Sequence, residues 1–137
     1  MEKEEIIAVQ RSWQLIMNHM NEIGEKFYDN LFEEEPVLET LFRNDKKEQA
    51  GKLMQLIGLA VTKLHLKAPD APIDRVGKRH VAYGVKPEYF PKFGEVLIKT
   101  FADSLKDEWS PELESAWQKA YANLSAMMIE SGYGKQE

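Results

Sequence analysis

The chain has no cysteine, which excludes disulfides, thiolate metal sites and cysteine nucleophiles, and fits a reducing compartment. It has only three histidines, His19, His65 and His80, and a site with a single histidine is poor for zinc, which takes three or four protein ligands. It has no uncharged apolar run near membrane-spanning length, so no membrane role is expected. Its N-terminus, MEKEEIIAVQ, is acidic and then amphipathic, whereas a secretory leader is basic and then continuously apolar. A cytoplasmic location is the expectation. A net charge of −5 and the lack of a basic stripe exclude a general nucleic-acid binder. There is no internal repeat, low-complexity segment or linker, so residues 1–137 are expected to form one domain with a frayed tail at about 133–137.

What is present is helical periodicity. Hydrophobic residues make up 43% of the chain, enough for a buried core. Ile6, Val9, Trp13 and either Ile16 or Met17 recur at helical spacing, followed by Ile23, Phe27, Leu31 and Phe32. Pro36 opens a short helix with Val37, Leu38, Leu41 and Phe42 on its apolar side. A long helix is predicted from near Lys46 to about Leu66, with a stripe of Leu53, Leu56, Ile57, Ala60, Val61 and Leu64. Pro72 starts another, reaching about Tyr83 with Gly84 as its C-cap. Pro87 opens a further helix carrying Phe90, Phe93, Val96, Leu97 and Phe101. The last begins at SPELESAW, with Ser110 as N-cap. The fold class is all-α, an array of six or seven crossing helices.

Three polar residues fall on apolar faces of three different helices: Tyr28, Gln49 and His80. Each has an ordinary reading. Tyr28 reads as a core tyrosine with its hydroxyl at the edge, Gln49 as a surface residue of a first turn, and His80 as a helix-end histidine beside the local dipole. A lone histidine serves a metal only where a cofactor supplies the remaining ligands, as the porphyrin of haem does.

The fragments FYDNLFEEEPVLETLF, QAGKLMQLIGLAV, GKRHVAYGVKPEYFPKFGEVLI and WSPELESAWQKAYANL, in this order after the SW of the first helix, resemble the globins. The likeness is to single-domain bacterial globins allied to flavohaemoglobins, of the Hell's Gate type, and covers about residues 3–131. It implies a three-over-three helical sandwich with a short or absent D helix, enclosing haem b (iron protoporphyrin IX). It implies His80 as the axial iron ligand, Phe42 packed on the haem, Gln49 and Leu53 on the distal side, and Tyr28 as the distal tyrosine. Val76, Val85 and Leu97 match haem-wall positions, and Lys52 and Arg79 are candidates to pair with the propionates. The resemblance further implies binding of O2, CO and NO, with two hydrogen-bond donors favouring tight, slowly released oxygen.

Flavohaemoglobins carry a tyrosine ten residues after the axial histidine and a glutamate late in the last helix. Here Phe90 holds the first position, with Tyr89 turned about 100° away on a helix. The second falls near Gly132, with Glu130 two residues off. No flavin or nicotinamide segment follows, so sustained redox turnover is expected to need an external reductase. Reversible oxygen binding is therefore the leading expectation. Nitric-oxide dioxygenase activity is the alternative, and a non-haem globin-fold sensor or interaction module the third.

Overall fold

The computed structural model describes residues 1–41, 45–65, 71–82 and 86–133, with the backbone alone at 71–73, 80–82 and 133. The helices are α1 (Lys3–Met17), α2 (Met20–Glu34), α3 (Lys46–Val61), α4 (Ala71–Ala82), α5 (Phe90–Leu105) and α6 (Pro111–Tyr133). Short 3-10 helices cover Pro36–Leu41, Pro87–Tyr89 and Lys106–Glu108. Among the described residues there is no strand, and no helix is long and apolar enough to cross a membrane.

Local chemistry sets the boundaries. Ser110 caps α6 as expected, its hydroxyl oxygen accepting from the Leu113 amide at 3.1 Å. Asp45 does the same for α3 through the Glu48 amide at 2.8 Å. The Pro87 segment begins as a 3-10 turn and becomes α-helical only at Phe90. The long helix ends at Val61, short of the expected Leu66. There the Thr62 hydroxyl turns back to the Leu59 carbonyl at 2.7 Å, while the Thr62 and Lys63 amides make shorter-range bonds that close the turn.

Helix α2 packs on α3 and α5, α1 on α6, and α4 on α6. The core is built around Phe27, Leu31, Met54, Val96 and Phe101, all fully buried. Trp13, Phe101 and Trp117 form an aromatic trio with centroids 5.0–6.4 Å apart. Its polar edge is satisfied: the Trp117 indole donates to Ser12 Oγ at 2.8 Å, and that hydroxyl donates to the Val9 carbonyl at 2.8 Å.

The contact of α4 with α6 depends on Gly77. A Cβ there would lie 2.6 Å from the Met128 carbonyl oxygen and 2.9 Å from Ser131 Cβ. A backbone atom cannot swing aside, so the whole of α4 would have to lift. Gly77→Ala is therefore expected to destabilise the fold by about 1–3 kcal/mol, read as a lower urea midpoint; an unchanged midpoint would count against so close a crossing.

Candidate functional site

A second close crossing builds the site. A Cβ on Gly24 would sit 2.9 Å from Ala50 Cβ, so the bare glycine lets α2 lie directly on α3. One turn further along α2 stands Tyr28, and beside Ala50 stands Gln49. The crossing brings them together: the Gln49 side chain is hydrogen-bonded to the Tyr28 phenol oxygen. Tyr28 is 2% exposed. Its ring lies edge-on to Phe27 at 4.9 Å and tilted against Phe32 at 5.7 Å. Lys46 and Asp29, paired at 2.8 Å, tie the two helices together on the solvent side. Both are about half exposed, so this pair contributes little by itself.

Burial pushes the Tyr28 phenol well above its ordinary value near 10, and the Gln49 bond only partly opposes this. The group therefore keeps its proton, and its capacity to donate, throughout the physiological range. Tyr121 is raised likewise, again by burial first and with a backbone hydrogen bond opposing. A proton held in the folded state and released in the unfolded one makes stability fall as pH rises. Stability should thus be level up to about pH 10 and then drop by about 1.4 kcal/mol per pH unit for each tyrosine. Thermal melts from pH 8 to 11 test this, and a melting temperature flat above pH 10 would contradict it.

Helix α3 differs from its expected stripe. Its buried residues are Ala50, Met54, Ile57, Ala60 and Val61, so Ile57, Ala60 and Val61 of the expected stripe are buried, as is Leu64 just beyond the helix. Leu53 and Leu56, expected at the centre, are only half-buried, as is Gln49. The row Gln49, Leu53, Leu56 therefore flanks the packed row and is left partly open. Among the described residues α3 and α4 are not packed on each other, since α4 lies on α6 and α3 on α2. Helix α3 thus presents a half-open apolar row headed by an amide and a phenol. Such a row fits a flat apolar group laid against it.

The remaining candidates fall as follows. Leu97 and Phe90 are buried, and Val76 is half-buried on α4. His80 lies in the last turn of α4, one turn after Val76; its side chain is outside the described residues, as are Phe42 and Val85 entirely. Lys52 is exposed and sits 3.7 Å from Glu48, an i,i+4 pair along α3. Arg79 is exposed, Tyr89 is half-buried, and Glu130 is exposed. His19 and His65 are exposed surface residues, as expected. Among the described residues no three His, Asp or Glu side chains converge as a metal site would require. The sequence reading missed one bond: the Tyr121 hydroxyl donates to the Phe90 carbonyl at 2.5 Å. Tyr121 had been read only as part of an apolar stripe, and the signal was its phenol among otherwise apolar positions.

Crossing helices, a half-open apolar row, a buried phenol and a half-buried amide beside it define an all-α protein with its polar pair at a helix crossing. The family model described as Globin matches residues 25–128, and this chain belongs to the globin family. Among curated relatives, a flavohemoprotein of Bacillus subtilis is 29% identical over 119 residues, covering 84% of this chain and 30% of its own length. The chain therefore spans about a third of that relative. An anaerobic nitrite reductase of Oryza sativa subsp. japonica is 30% identical over 135 residues, covering 93% of this chain and 92% of the relative. A globin-like protein of Aquifex aeolicus is 30% identical over 128 residues, covering 93% and 91%. The kinship to flavohaemoglobins expected from the sequence stands, and family and relatives together imply a haem cofactor.

Proposed function

We propose that this chain is a cytoplasmic single-domain globin that holds haem b between α3 and α4 and binds O2, CO and NO reversibly. The observation that carries this reading is the Tyr28–Gln49 pair, a buried phenol bonded to a half-buried amide at the head of a half-open apolar row in a globin fold. His80 would supply the axial ligand and Phe42, Leu53, Val76, Val85, Phe90 and Leu97 the apolar walls. Lys52 and Arg79, both exposed, would turn toward the propionates at the rim, Lys52 by leaving its exposed pair with Glu48.

Haem, when bound, supplies the site for a diatomic ligand and a one-electron couple. The chain does the rest. Tyr28 offers an O–H held in its neutral form by burial, and Gln49 an amide N–H, to a ligand that gains negative charge on binding. Preorganised donors in a dry pocket act more strongly than donors in water, because nothing must reorient when the charge appears. Leu53 excludes water on the same side. The test is reversible oxygenation of the reduced, haem-loaded protein: the oxygenated spectrum should form in air and revert on removal of oxygen under reducing conditions. Immediate, complete oxidation without an oxygenated species would overturn the reading.

Nitric-oxide dioxygenation is the second reading, favoured by the same Tyr28–Gln49 pair. In it NO and O2, with one electron, give nitrate, and an external reductase supplies the electron. Phe90 in place of a tyrosine, and an exposed Glu130, weigh against it. Sustained NO consumption with a reductase present, beyond one equivalent of protein, would establish it; a single stoichiometric burst with every donor would exclude it.

A further inference from the structure

The bond between Tyr121 and α5 has a consequence for the opposite side of the site. Tyr121 lies one turn after Trp117 on α6. Its hydroxyl donates to the backbone carbonyl of Phe90, the first residue of α5. Its ring lies against Gly94, so close that a Cβ there would fall 2.4 Å from a ring carbon. Both contacts grip the N-terminal end of α5, one at its first residue through a hydrogen bond and one a turn later through shape. The hydroxyl remains a donor because burial holds its proton.

Phe90, gripped at its carbonyl, sends its ring inward. It is 6% exposed and clusters with Met127 and Met128 of α6. Val76 of α4 packs against that cluster, together with Leu41 and Leu124. Val76 stands one turn before His80. A continuous set of contacts therefore runs from the Tyr121 hydroxyl, through the Phe90 main chain and ring, to the helix that carries His80. Close-packed interiors transmit such constraints because neighbours have no slack to absorb a shift.

We propose that Tyr121 is a positioning residue that seats the last turn of α4, acting through the Phe90 carbonyl and the Phe90–Met127–Met128 cluster. A hydroxyl from α6 thus orders this side of the site through the main chain, at the position where flavohaemoglobins use a tyrosine side chain. The effect on haem rests on the proposed haem function; the effect on α4 does not.

The test is Tyr121→Phe, which keeps the ring over Gly94 and removes one oxygen. In the apoprotein, amide hydrogen exchange at Gly94 and along α4 should quicken about fivefold, the weight of one ordinary hydrogen bond, while α1 stays unchanged. In the ferrous, haem-loaded protein the iron–histidine stretching band should shift from its wild-type position. Exchange that quickens at Gly94 alone, with α4 and the stretching band unmoved, would reduce Tyr121 to a local structural contact and overturn the proposal. No change at Gly94 would overturn it at its first link. Should the wild-type protein take up no haem, the haem reading fails by itself, and exchange in α4 still decides the fate of the positioning claim.

Discussion

Replacing His80 by alanine is expected to cost the protein its haem. The chain offers few substitutes. It has no cysteine, and the other two histidines, His19 and His65, are exposed at helix ends away from the Tyr28–Gln49 pair. Loss of a partner that merely orients a metal ligand lowers affinity about 10–100-fold, so loss of the ligand itself should lower it by at least about 100-fold. Transfer of haem to an acceptor apoprotein measures this, and free imidazole should restore part of the retention by refilling the vacated position. The apoprotein should keep its helical content. Haem transfer from His80→Ala at the wild-type rate would refute the assignment of the axial ligand.

Tyr28→Phe is expected to speed oxygen release by about 10- to 100-fold, the weight of about 1.5–3 kcal/mol for a hydrogen bond to a charged partner. Carbon monoxide release should change far less, because CO gains little negative charge on binding. The contrast between the two ligands is the informative part. A cavity or a loosened fold would affect both alike, whereas a lost donor affects only the polar one. Phenylalanine keeps the ring between Phe27 and Phe32 and removes the hydroxyl that bonds Gln49, so the fold should survive. Ligand-displacement kinetics on both complexes check this; equal acceleration of O2 and CO would remove Tyr28 from the donor role.

The helical framework was legible because its signals are local. Pro36, Pro87, Pro111 and the Ser110 cap mark starts within a few residues, and apolar spacing marks the inward faces. Helix α3 shows where spacing fails. Leu53, Leu56 and Ile57 looked like one stripe, yet of these three only Ile57 is buried. Apolar periodicity reports which side chains avoid water, and it does not separate a face packed on another helix from a face kept for a bound group. The Gly24 and Gly77 crossings were also hidden, because a glycine within a helix carries no sign of what approaches it. Tyr28 and Gln49 could each be read as commonplace alone. The resemblance paired them in expectation, and the Gly24 crossing supplies the physical cause of their meeting.

The central claim is that α3 and α4 enclose one haem with Tyr28 and Gln49 on one side and His80 on the other. Titration of the apoprotein with haem, followed by absorbance, tests it most directly. The account predicts a sharp Soret band rising linearly to a break at one haem per chain, lost in His80→Ala and altered in the oxygenated form of Tyr28→Phe. A featureless titration, with only the broad absorbance of free haem at every ratio, would contradict it and leave a non-haem globin fold as the correct description.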